Sequence, residues 1–137
     1  MNKRTIHVTE GDMHRLRELI MFARGRDGRD QPYLAALESE LDRAVVLARE
    51  QIAPDVVTMN SRARLRDGVR TWTITLVFPD LADAESGSIS VLAPLGAAIL
   101  GCRVGQTVDF SVPGGESRSC EILGVLYQPE AAGDRHL

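Results

Sequence analysis

The chain has 137 residues, a formal net charge of -3 and a pI near 5.6, with 44% hydrophobic and 26% charged residues. That length fits one domain or two small units, and the balance of apolar and charged residues excludes a disordered chain. The acidic balance argues against a dedicated nucleic-acid binder, and no amino-terminal leader pattern follows Lys3 and Arg4.

The segment "TIHV" (5–8) predicts a short strand. Thr9 then starts a helix, with Asp12 three residues later as a relative of the capping box. Met13, Leu16, Ile20 and Ala23 follow at spacings of 3, 4 and 3, which is a narrow apolar seam. Gly25 is expected to end this helix. Pro32 suits the first turn of a second one, where its missing N–H costs nothing. The second seam is Leu34, Leu37, Leu41, Ala44 and Ala48. Two seams joined by a Gly-rich turn predict an antiparallel helical hairpin, a short coiled coil, over residues 1–53. Helices of roughly 25 Å are marginal alone and need something to lean on.

At Pro54 the period changes. "DVVTMNSRARLRDGVRTWTITLVFP" (55–79) predicts a β-hairpin turning on Asp67-Gly68, with Arg66 opposite Val69. In that register Val57 meets Phe78, Met59 meets Leu76, Ser61 meets Ile74 and Ala63 meets Trp72. The opposite face sets Thr58, Asn60, Arg62 and Arg64 against Val77, Thr75, Thr73 and Thr71. Beyond an acidic loop (80–85) come a strand at 88–91, a helix from Pro94 to Leu100 closed by Gly101, a strand at 107–112, a turn at 113–115 and a last strand. The tail from Gln128 has no periodicity and reads as loose. Residues 54–137 therefore form a small α+β domain, an antiparallel sheet with one short helix. The most apolar stretch, "SVLAPLGAAILG", is too short and too interrupted by Pro94 and Gly96 to span a bilayer.

Few residues suggest chemistry. His7, His14 and His136 lack the spacing of zinc ligands. Cys102 and Cys120 are isolated, as free thiols of a reducing cytoplasm are. The glycines of "GCRVGQTVD" and "VPGGES" carry no phosphate-loop signature and read as turn residues. Arg62, Arg64, Arg66 and Arg70 gather near one edge of the β-hairpin. They either touch phosphates or an acidic protein surface, or form a solvated face. The remaining candidate is the tip, "FARGRDGRDQPY" (22–33). Its Asp27 and Asp30, three residues apart, have the oxygen donors that a hard divalent cation takes. The same residues equally serve a turn and a helix cap.

The order of elements and two segments carry a family resemblance. "GSISVLAPLGAAILGCRVGQTVDF" (87–110) and "VPGGESRSCEILGVLYQP" (112–129) resemble the carboxy-terminal domain of the Gre transcription-elongation factors. Gly87, Ile89, Ser90, Pro94, Gly101, Val104-Gly105 and Pro113-Gly114-Gly115 match that family's pattern, while Gln106 replaces an acidic residue and Ala93 a serine. "PDVVTMNSRARLRD", "ISVLAPLGAAILG" and "YQPEAAGD" resemble its Rnk branch, whose hairpin is shortened. The resemblance implies an FKBP-like fold for residues 54–127. It implies docking at the rim of the RNA polymerase secondary channel through Ser90 and Pro94. The tip residues Arg24, Arg26, Asp27, Arg29 and Asp30 would enter the channel. In cleavage-active relatives the tip carries a D-x-x-E pair that helps hold a catalytic magnesium. Here the second acid is Asp30, and each lost helical turn removes about 5.4 Å of reach. The resemblance thus implies a cytoplasmic regulator that is not itself an enzyme, carries no cofactor, and meets nucleic acid only through its partner. Two alternatives stand beside it: transcript-cleavage stimulation through Asp27 and Asp30, and regulation of nucleoside diphosphate kinase, which rests on the branch's name alone.

Overall fold

The computed structural model describes residues 5–27, 32–112 and 114–134; the side chains of Arg26, Asp27 and Pro32 fall outside that description. The chain divides into two compact units, Met1–Ile52 and Ala53–Leu137.

The first unit begins with strand β1 (His7–Thr9) and helix α1 (Glu10–Asp27). The Thr9 hydroxyl accepts the backbone N–H of Asp12 at 3.1 Å, so the predicted cap forms. Helix α2 (Pro32–Asp42) opens on its proline as expected. The seam is real: Leu16, Ile20, Leu34, Leu37 and Leu41 are all at most 2% exposed. Each such burial removes roughly 1.5–3 kcal/mol of apolar surface energy from water, which steadies helices too short to stand alone.

Two expectations for this unit fail. Gly25 does not end α1, which runs on to Asp27. A glycine costs a helix only about 1 kcal/mol, and the neighbouring Arg24 forks onto Glu38 of α2 at 2.8 and 3.2 Å, tying this turn down. The second seam does not reach Ala44 and Ala48 as helix. After Asp42, tight bonds from the Arg43 and Ala44 N–H groups to the Glu40 and Leu41 carbonyls close α2. The β-branched Val45 and Val46 then enter strand β2 (Val45–Leu47), parallel to β1 with Val8 opposite Val46. The hairpin is therefore framed by a two-stranded parallel pair.

The second unit is a five-stranded sheet in the order β5-β4-β3-β7-β6. Its strands are β3 (Arg62–Asp67), β4 (Arg70–Val77), β5 (Ser88–Ser90), β6 (Thr107–Ser111) and β7 (Ser117–Tyr127). Only β4 and β5 run parallel. Helix α3 (Pro94–Ile99) packs against β5 and β6. Ala63, Leu65, Ile74, Leu76, Val108, Cys120 and Ile122 fill the sheet's buried side, joined by Val56, Val57, Met59, Ile99 and Leu100. Two register shifts between β3 and β7, at Arg62/Ala63 and Arg64/Leu65, bend the sheet.

The β3–β4 register differs from the expected one by two residues. Asp67 pairs with Arg70, Leu65 with Trp72 and Ala63 with Ile74. The loop is Gly68-Val69, and Gly68 has φ +62° while Val69 stays out of the positive region. That is the arrangement of a II′ turn, which wants glycine at its first central position. A slip of two preserves which side chains share a face, so the arginine and apolar faces are as expected. The predicted strand start at Val57 is also wrong. Asn60 takes φ +68° in a turn closed by the Ser61 N–H on the Thr58 carbonyl, and the Val57 backbone pairs with Gly101 and Cys102 instead.

The segment from Gln128 holds more than a loose tail. Gln128 caps helix α4 (Pro129–Ala132), its side-chain oxygen accepting the Ala131 N–H. Its amide donates to the carbonyls of Ala53 and Val56 at 2.8 and 2.9 Å, and the residue is 3% exposed. Beside it the Thr58 hydroxyl donates to Glu130 at 2.7 Å and shares a hydrogen bond with the Ser61 hydroxyl.

Cys102 and Cys120 are both free and buried. Burial first, then the charge of Asp67 and the neighbouring Cys102, push the Cys120 thiol up to about 11. In the unfolded chain this thiol titrates near 9. Below pH 9 both states are neutral there and the full stability is present. Between pH 9 and 11 the unfolded state ionises first, so stability falls. Urea titrations at pH 8 and pH 10.5 are expected to show a larger loss for wild type than for Cys120→Ala, by about 1–2 kcal/mol. Equal losses would refute the assignment.

Candidate functional site

Three regions bear on function. At the hairpin, Arg24 is committed to Glu38 and a second brace links Arg17 to Asp42 at 2.8 Å, so both ion pairs tie α1 to α2. Arg24 is thus a brace of the hairpin at least as much as a tip residue. Asp27 is the last helical residue of α1, while Arg29 and Asp30 lie outside the described residues, as do the side chains of Arg26 and Asp27. Next to the tip Met21 is 73% and Phe22 63% exposed on α1, and Tyr33 is 45% exposed on α2. His136 also lies outside the described residues. Among the described residues no three His, Cys, Asp or Glu side chains converge on one point.

The second region is the corner between β5 and α3. The Ser90 hydroxyl accepts the Leu92 N–H at 3.0 Å, and the Ser90 carbonyl accepts the Ala93 N–H at 3.0 Å. Ala93 occupies the cap position and offers no side-chain hydrogen bond, and Pro94 stands exposed at the first position of α3. The corner is locked from behind by Gly96. A Cβ there would lie 2.1 Å from the Ser90 carbonyl oxygen and 2.9 Å from its carbon, so only glycine lets the helix approach the strand this closely. Sequence reasoning singled out Ser90 and Pro94 and missed Gly96, whose role is visible only once helix and strand are juxtaposed.

The third region is the solvent-facing side of β3. Arg62, Arg64 and Arg66 are exposed on it. Across the ladders they face Thr75, Thr73 and Thr71 on β4 and Tyr127, Gly124 and Glu121 on β7. Arg66 pairs with Glu121 at 2.5 Å. Arg70, which the sequence grouped with them, sits instead over the Trp72 ring at 5.3 Å.

The chain thus combines a corner built on a Gly96 close approach, a five-stranded bent sheet and a preceding helical hairpin. The family described as "Transcription elongation factor, GreA/GreB, C-term" matches residues 52–127, and "Rnk N-terminus" matches residues 4–47. A solved structure, the GreA/GreB-type prokaryotic transcription elongation factor from Nitrosomonas europaea, superposes with a TM-score of 0.74 at 36% identity. It covers 91% of this chain and 100% of that one. Transcription elongation factor GreA of Chlorobium phaeobacteroides is 36% identical over 109 residues, covering 77% of this chain and 68% of that protein. The "Regulator of nucleoside diphosphate kinase" of Escherichia coli (strain K12) is 40% identical over 137 residues, 98% of each chain. The chain belongs to the GreA/GreB transcription elongation factor family, in its Rnk branch.

Proposed function

We propose that this chain is a cytoplasmic transcription regulator that docks on RNA polymerase at the rim of the secondary channel and is not itself an enzyme. The observation that carries the reading is the β5–α3 corner within the matched residues 52–127: a rigid turn that leaves Pro94 exposed for a partner. On this reading residues 54–127 are an FKBP-like binding module. Helices α1 and α2 are a short coiled coil whose tip, Arg24 to Asp30, enters the channel and hinders competing factors. The 11 residues of α2 span only about 17 Å, which limits how far that tip reaches. No helix among the described residues is long and apolar enough to cross a membrane.

The test is binding to core RNA polymerase by biolayer interferometry. Wild type is expected to bind at micromolar concentration or below, and Pro94→Glu at least tenfold more weakly. Absence of wild-type binding at 10-fold higher protein would sink the proposal. A stalled-complex cleavage assay separates the alternative role. Wild type is expected to leave transcript cleavage at its basal rate. Stimulation that disappears in the Asp27→Ala, Asp30→Ala double variant would assign the tip to magnesium instead. The printed name of the Escherichia coli relative supports one further reading, regulation of nucleoside diphosphate kinase. Co-purification of that kinase in place of polymerase would favour it.

A further inference from the structure

We infer that the open face of the sheet is a second docking surface, built to take an acidic segment of another protein that presents two carboxylates to Arg62 and Arg64. β3 is the central strand of five, yet its outward side carries three exposed arginines. Arg66 is neutralised by Glu121, but among the described residues no ion pair or side-chain hydrogen bond engages Arg62 or Arg64. The chain's formal charge is negative, so these two unpaired guanidinium groups on one strand stand out against an acidic background. Two residues along a strand place them about 6.6–6.8 Å apart. Carboxylates one helical turn apart match that spacing, and each guanidinium can bind one through two parallel hydrogen bonds.

The surroundings favour a protein over a nucleic acid. Gly124, opposite Arg64, leaves open space where a side chain would stand, so a partner can approach the backbone. Thr73 and Thr75 line the other flank with hydroxyl groups. A phosphodiester chain continuing across the sheet would instead meet the carboxylates of Glu121 and Asp109, on the same face of β7 and β6. It would also want aromatic platforms for its bases. The aromatic ring in line with Arg62 is Tyr127, whose hydroxyl is bonded to Asp134.

The experiment is a ¹⁵N-HSQC titration of the full chain at low ionic strength. Three probes are used: an alanine-based helical peptide with Glu pairs at i and i+4, its Gln counterpart, and an oligouridylate of ten nucleotides. The Glu peptide is expected to shift amides of residues 62–66 and 71–75, the Gln peptide to shift none, and 0.3 M salt to reverse the shifts. The Arg62→Ala, Arg64→Ala double variant should lose at least tenfold in affinity with an unchanged Tm, and the double Lys variant should retain part of it. Failure of the Glu peptide to shift these amides at 1 mM would overturn the inference. So would equal shifts from the Gln peptide, tighter binding of the oligouridylate, or a double variant that binds like wild type. Polymerase docking through Pro94 is untouched by any of these outcomes.

Discussion

Replacing Gly96 by alanine is expected to destabilise the second unit by about 3 kcal/mol or more, at the upper end of what overpacking costs. The added methyl would sit 2.1 Å from the Ser90 carbonyl oxygen and 3.1 Å from the Val91 Cα. Both obstacles are backbone, and neither moves without pulling β5 away from β4, where Val91 donates to the Val77 carbonyl at 2.9 Å. Gly124→Ala is the internal comparison. A Cβ there meets nothing within 4 Å, so its effect should stay within about 0.5 kcal/mol. Urea unfolding followed by tryptophan fluorescence reads the second unit, because Trp72, the only tryptophan, lies on β4. A Gly96→Ala protein as stable as wild type would show that α3 stands further from β5 than described. The consequence for function is direct. The same close approach sets where Pro94 emerges, so a folded remnant of the variant should also bind polymerase poorly.

Gln128→Leu is expected to cost about 2–4 kcal/mol. The leucine keeps the bulk of the side chain but removes both donors from the buried carbonyls of Ala53 and Val56, and the acceptor for the Ala131 N–H. A buried polar group left without its partner costs about 1–3 kcal/mol, and here more than one is stranded. The loss should appear as a lower urea midpoint with an unchanged slope, since the surface exposed on unfolding is nearly the same. Gln128→Glu retains the acceptor and loses the donors, and should be close to the leucine variant. A full-stability Gln128→Leu protein would mean that α4 and residues 53–56 do not depend on this clasp.

The paired seams Leu16–Ile20 and Leu34–Leu37–Leu41, the Pro32 start of α2 and the two faces of β3 were legible in the chain itself, because local periodicity decides which side of an element is apolar. The family pattern around Ser90, Pro94 and Gly101 was legible too. The misses have a common cause. Ala44 and Ala48 continued a seam, but a parallel partner strand at His7–Thr9 took Val45–Leu47, and a partner that distant in sequence leaves no local trace. The β3–β4 register turned on whether Gly68 was the first or second loop residue, and both choices keep the same faces. The signal for α4 was present as a polar residue before a proline, yet the carbonyls that bury Gln128 lie more than 70 residues earlier.

By itself the sequence determined the two-unit order, the apolar seams and the faces of the strands, since those follow from side-chain period and turn chemistry. Only the tertiary structure decided that Arg24 is a brace, that a side chain at Gly96 would meet the Ser90 carbonyl, and that among the described residues Arg62 and Arg64 stand exposed and unpaired. Each of those depends on which distant groups come within a few ångströms, and spacing along one chain does not specify that.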